Sequence, residues 1–284
     1  MDTLPLWTRP LSDIPTGEDT LVAAANGTRL CLQVFGEPDA PLQVQLEGYG
    51  AQLVNLSRRF CVRLAARGFR VVRLDHRDSG RSQRFPGATY DLRAPAEDVA
   101  GLIHVLSKSP AIVCGRSMGG MVAQLSALAH PELVGGLGLF YTAPRTSGGA
   151  VPEPGPVLPE DPWVADFVAS TMPLAGSGYP YDPVELAALG RLMYARDHDP
   201  TAKVRLARAM AATPDWSGRL GSLRCRTAIA HGTEDPLIAP AAGVELASRI
   251  PGATLDLFAG MGHGQPPALD DRFVAICAGL TAPC

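Results

Sequence analysis

Pro110-Ala111-Ile112-Val113-Cys114-Gly115-Arg116-Ser117-Met118-Gly119-Gly120 is the stretch on which the fold turns. Residues 110–114 form a short apolar run, as a buried strand requires. From Met118 to Leu128 the apolar residues recur at helical spacing. One serine therefore sits where a strand turns sharply into a helix, between Gly115 and Gly119. Glycine permits the tight turn and lets the helix start lie close to the strand.

Outward from that turn, strands and helices alternate. TLVAAA (20–25) and RLCLQVFG (29–36) read as strands joined at Asn26-Gly27, a strong hairpin signal. Further strands are predicted over 41–47, 69–76, 134–142, 225–231 and 253–259. Helices are predicted over 52–67, with Leu53, Leu56, Phe60 and Leu64 on one face, and over 94–107, 239–249 and 266–280. Such alternation implies an α/β fold: a mostly parallel eight-stranded sheet with helices on both faces, and the opening hairpin antiparallel at one edge. Between 144 and 218 the character changes. Pro152, Pro154, Pro156, Pro159 and Pro162 prevent regular structure, and helical patterns then resume at 163–172, 184–195 and 201–212. The expected organisation is a core of 1–143 and 219–284 with an inserted helical cap over 144–218.

Bulk composition narrows the function. The chain has 284 residues, 46% hydrophobic and 19% charged, with net charge −3, an ordinary globular balance. Neither a basic stripe nor a polybasic block is present, so nucleic acid and membrane surfaces are not expected partners. The start, MDTLPLWTRPLSDIP, lacks an apolar leader, and a cytoplasmic location is expected. Cys31, Cys61, Cys114, Cys225, Cys277 and Cys284 are scattered without a CxxC pair and read as thiols, mostly buried, rather than disulfides or metal ligands. No P-loop and no GxGxxG follows a strand, so no nucleotide, other cofactor or metal is expected.

In an open parallel sheet, reactive groups gather at the carboxyl ends of strands. Three such ends carry what acyl transfer needs: Ser117, Asp235 in HGTEDP (231–236) and His263 in GMGHG (260–264). A serine hydroxyl is a weak nucleophile without an adjacent base. His263 would take its proton, and Asp235 would hold the imidazole tautomer and stabilise the imidazolium. The order Ser, Asp, His is that of the α/β-hydrolase arrangement. The bland alternatives are Ser117 as a bare helix cap, Asp235 as a turn residue before Pro236, and His263 as a loop histidine. Glu234 could supply the acid in place of Asp235. His76, His104, His130 and His198 read as structural or solvated, and His231 as a candidate only for positioning the Asp235 loop.

Through GFRVVRLDHRDSGRS (68–82), CGRSMGG (114–120), HGTEDPLI (231–238) and IPGATLDLFAGMGHGQPP (250–267), the chain resembles the α/β-hydrolase superfamily. Within it, the chain looks like the serine esterase branch that includes aclacinomycin methylesterase. The resemblance spans about 20–270 and implies Ser117 as nucleophile, Asp235 as acid and His263 as base. Many members carry His-Gly after the third strand, where this chain reads Leu46-Glu47-Gly48-Tyr49-Gly50. The methylesterase-like branch also lacks that histidine, so the oxyanion donors are assigned to the backbone N–H groups of Tyr49 and Met118. Glu47 is expected to face outward or to pair with an arginine; pointing inward, it would add an acid–base group. The turn at 77–82 reads as structural.

Trp163, Phe167 and Tyr194, with Gly48 and Glu47, are candidate pocket residues, suited to a medium or bulky apolar group. Arg191, Arg196, Lys203, Arg205 and Arg208 are expected on a solvated helix face. The function expected is hydrolysis of a small-molecule carboxylic ester, a methyl ester or lactone, through an acyl-enzyme on Ser117. The alternatives are a non-hydrolytic cyclase, isomerase or lyase on the same scaffold, and a catalytically idle binding protein.

Overall fold

A computed structural model describes residues 17–148 and 151–281. Cys284 and the opening segment read above lie outside the described residues. The strands are β1 (Thr20–Ala23), β2 (Arg29–Phe35), β3 (Leu42–Leu46), β4 (Arg70–Leu74), β5 (Ala111–Arg116), β6 (Val134–Phe140), β7 (Arg226–Gly232) and β8 (Thr254–Phe258). The α-helices are α1 (Arg58–Ala65), α2 (Arg93–Leu106), α3 (Met118–Ala129), α4 (Glu160–Thr171), α5 (Pro183–Arg196), α6 (Pro200–Ala212), α7 (Ala241–Arg249) and α8 (Asp270–Ala278).

One sheet holds all eight strands in the order β1-β2-β4-β3-β5-β6-β7-β8. The first two pairings are antiparallel and the rest parallel, as the hairpin and alternation predict. The chain runs from β3 outward to β4, then returns past β3 to β5. That reversal opens a crevice between the carboxyl ends of β3 and β5. Leucine, isoleucine and valine from α2, α3 and α7 pack on one face of the sheet, while Phe60, Leu64, Phe273 and Val274 of α1 and α8 pack on the other.

The predicted helix over 52–67 is broken. Leu53–Asn55 makes one 3₁₀ turn, and Ser57 caps α1 by accepting the Phe60 N–H at 3.1 Å. The reason is long-range: the Leu53 N–H donates to Asp75 Oδ1 at 2.6 Å, which pins this loop to the end of β4. Leu53, Leu56, Phe60 and Leu64 are nevertheless all buried. Residues 141–225 run between β6 and β7 and contain α4, α5 and α6. α4 and α5 pack on each other, whereas Leu206 and Ala209 of α6 join the main core.

Candidate active site

β5 ends at Arg116 and α3 begins at Met118, so Ser117 alone makes the turn. Its backbone is left-handed, φ 51 and ψ −122, a conformation that a non-glycine residue holds only when its surroundings enforce it. They do. The Ser117 N–H donates to Phe140 O at 3.0 Å, and the Thr142 hydroxyl donates to Ser117 O at 2.7 Å. A Cβ on Gly115 would lie 2.1 Å from Gly119 O, and one on Gly119 2.5 Å from Glu47 O, so both sites exclude a side chain. The Ser117 side chain makes no capping hydrogen bond to α3, which removes the bare-cap reading.

Its hydroxyl instead meets His263. Ser117 Oγ and His263 Nε2 are 3.0 Å apart, and His263 Nδ1 lies 2.7 Å from Asp235 Oδ2. Nδ1 faces an acceptor-only carboxylate, so it carries the proton and Nε2 presents its lone pair to the serine. Asp235 Oδ1 accepts the N–H groups of Leu237 and Ile238, both at 2.9 Å. Burial pushes this carboxyl up, but hydrogen bonds from His231, His263 and Ile238 outweigh it and hold Asp235 well below the usual carboxylate range. Glu234 is turned away: it accepts the Ser177 N–H at 2.6 Å and the Ser177 hydroxyl at 2.8 Å. His231 Nε2 donates to Ile238 O at 2.8 Å, bracing the loop as expected.

Gly48 brings the end of β3 against the serine, since a Cβ placed on it would sit 3.6 Å from Ser117 Oγ. His76 Nε2 donates to Glu47 O at 3.1 Å and fixes the start of this loop. The N–H groups of Tyr49 and Met118 have no acceptor among the described residues. A cavity of about 1100 Å³ opens over Ser117 and His263, walled by Gly48 and Tyr49 on the sheet side and by Phe167, Leu186 and Met193 from the inserted helices. Such a site can activate a hydroxyl, hold a developing oxyanion and enclose a large organic group.

Residues 42–265 match the family described as serine aminopeptidase, S33. The chain belongs to that family of hydrolases. It is 31% identical to a rhodomycin D methylesterase of Streptomyces sp. (strain C5), over 86% of this chain and 92% of that one. To the rhodomycin D methylesterase of Streptomyces peucetius it is 30% identical, with the same coverage. The enol-lactonase of Burkholderia xenovorans superposes with a TM-score of 0.74 at 24% identity, covering 92% of this chain and 98% of that one, and shares the α/β-hydrolase fold. Family and relatives together support ester hydrolysis as the reaction class.

Some of this hydrolase's site departs from the sequence reading. Phe167, Gly48 and Glu47 line the cavity, but Trp163 lies in a neighbouring recess. Tyr194 faces neither space: its ring stacks on His198 at 4.1 Å and its hydroxyl donates to Leu158 O at 3.2 Å. Helical periodicity could not say which side of α4 or α5 faces Ser117. Two arginines expected on a solvated face are instead partly buried in ion pairs. Arg196 pairs with Asp75 at 2.6 Å and with Asp19, and Arg205 pairs with Asp78 at 2.6 Å. They tie the inserted helices to the end of β4 and to the 77–82 turn. Tyr141, left-handed at φ 37 with its ring 5.1 Å from His263, went unrecognised. So did Arg116, whose side chain is 1% exposed beneath the turn. Glu47 combines both expected orientations: it lines the cavity and stands 3.9 Å from Arg116 Nε.

Proposed function

We propose that this protein cleaves a carboxylic ester through an acyl-enzyme on Ser117, with His263 as general base and acid and Asp235 as its orienting carboxylate. The observation that carries the reading is the unbroken row Ser117 Oγ, His263 Nε2, His263 Nδ1, Asp235 Oδ2, with steps of 3.0 and 2.7 Å. In the first step Nε2 takes the hydroxyl proton as Oγ attacks the ester carbon. The oxyanion accepts the Tyr49 and Met118 N–H groups, each worth roughly 10²–10³ in rate. His263 then returns the proton to the departing alcohol. A water molecule repeats the sequence to free the acid and Ser117.

The substrate is a methyl ester on a bulky, largely apolar molecule of the polycyclic natural-product kind. The rhodomycin D methylesterase relatives support the methyl ester, and the cavity of about 1100 Å³ supports the size. Residues 144–218 act as a lid that shapes this space. A cyclase, isomerase or lyase would draw on Glu47 as a free acid–base group, and its pairing with Arg116 counts against that role. The test is release of methanol and acid from a polycyclic methyl ester, together with p-nitrophenyl butyrate turnover. Both activities are expected in the wild type and neither in Ser117→Ala. A variant that retains both would overturn the assignment.

A further inference from the structure

Arg116, the residue before the nucleophile, has no direct hydrogen bond to a carboxylate. Its guanidinium lies between the rings of Phe60 and Phe140, 5.3 and 5.2 Å from their centroids. It donates to two neutral carbonyls: Nη1 to Gln45 Oε1 at 3.0 Å, and Nε and Nη2 to Gln265 Oε1 at 3.2 and 2.8 Å. The Gln265 amide is in turn committed to Asp270 at 3.0 Å. Glu47 is therefore the counter-charge to Arg116, close enough to balance it and too far, at 3.9 Å, to be hydrogen-bonded by it.

This leaves the Glu47 carboxylate short of donors. Among the described residues its nearest are the Gly48 N–H at 3.4 Å and Arg116 Nε at 3.9 Å. Asp75, buried nearby at the end of β4, receives three donors at 2.6, 2.9 and 2.6 Å from Leu53, Arg81 and Arg196. A carboxylate with unfilled acceptor sites in a low-dielectric wall is costly unless something supplies the donors. Glu47 is 12% exposed, and the space it opens into is the cavity over Ser117. Its chain neighbour Gly48 packs against Ser117, and Glu47 and Ser117 line the same cavity.

We propose that Glu47 is a recognition subsite for a hydroxyl group on the acyl part of the ester, two or three bonds from the carbonyl carbon. The inference rests on the ester-hydrolase reading of the same site. The donor it fits is a neutral hydroxyl rather than an ammonium group, because Arg116 already balances the carboxylate and a second cation would sit beside the guanidinium.

Binding separates this subsite from the chemistry. Ser117→Ala protein would be titrated by calorimetry with methyl 5-phenylpentanoate and with its 2-hydroxy and 3-hydroxy derivatives. At least one hydroxy ester is expected to bind about 10- to 100-fold tighter than the parent, the range for a hydrogen bond to a charged group. Adding Glu47→Leu should collapse the ratio to near one. Since that change strands the Arg116 charge, Glu47→Leu with Arg116→Met serves as the variant without a buried unpaired ion. Equal binding of all three esters to Ser117→Ala, or a preference that survives loss of the carboxylate, would overturn the proposal. Wild-type turnover of the parent ester reports separately on the hydrolase reading: no turnover alongside a Glu47-dependent preference would sink that reading and keep the subsite.

Discussion

Two helices of twelve residues, α3 and α4, meet water in opposite ways. α3 buries ten of its residues against the sheet and follows directly on Ser117. α4 buries only Val164 and lends Phe167 to the cavity wall. Ser117 thus hangs from a heavily buried part of the chain, while part of the cavity wall rides on a surface helix. A left-handed serine needs rigid support. A wall that selects among large esters needs only shape, and a lightly buried helix tolerates change. The contrast predicts that substitutions around α3 act on catalysis and folding, and those on α4 act on selectivity.

The sharpest break in the contrast would come at Ser117. Ser117→Ala should lower kcat by about 10⁴- to 10⁶-fold with the circular-dichroism spectrum unchanged. Next in size is Gly115→Val, beneath the start of α3, where even a Cβ would lie 2.1 Å from Gly119 O. It should cost more than about 3 kcal/mol in urea unfolding, and a wild-type midpoint would refute the close packing.

A third effect concerns pH. Burial lowers His76 from its ordinary 6.5 to about 4. As pH falls, the unfolded chain takes this proton first. The stability is therefore fully present above pH 6.5 and is lost as pH drops towards 4. Between pH 7 and 5 the wild type should lose roughly 2 kcal/mol through this group, and His76→Gln should lose less by that amount. Parallel losses in the two proteins would contradict the buried neutral imidazole. The smallest change is expected on α4. Phe167→Ala should alter kcat/KM for a bulky ester by roughly tenfold or less and leave p-nitrophenyl acetate turnover within about twofold. An equal loss on both esters would erase the distinction between the helices.

Periodicity made the sheet, its hairpin edge and the three strand ends that carry Ser117, Asp235 and His263 legible. Ser117, Asp235 and His263 each follow an apolar run, and runs are local. What escaped is pairing across distance. Glu47 and Arg116 meet only because β3 and β5 are neighbours, and nothing near either residue announces the other. Arg196 and Arg205 look like the polar side of amphipathic helices until Asp75 and Asp78 claim them. The same aspartate breaks the helix predicted over 52–67. Trp163 and Tyr194 failed as pocket residues for a related reason: spacing marks the side of a helix, not what that side faces.

The proposed acyl-enzyme places the acyl group on one hydroxyl, that of Ser117. Intact-protein mass spectrometry after treatment with a fluorophosphonate, followed by peptide mapping, addresses it most directly. One adduct on the peptide containing Ser117 is expected, with ester turnover lost in proportion to labelling. Full labelling at any other residue, or complete turnover by protein modified at Ser117, would contradict the account.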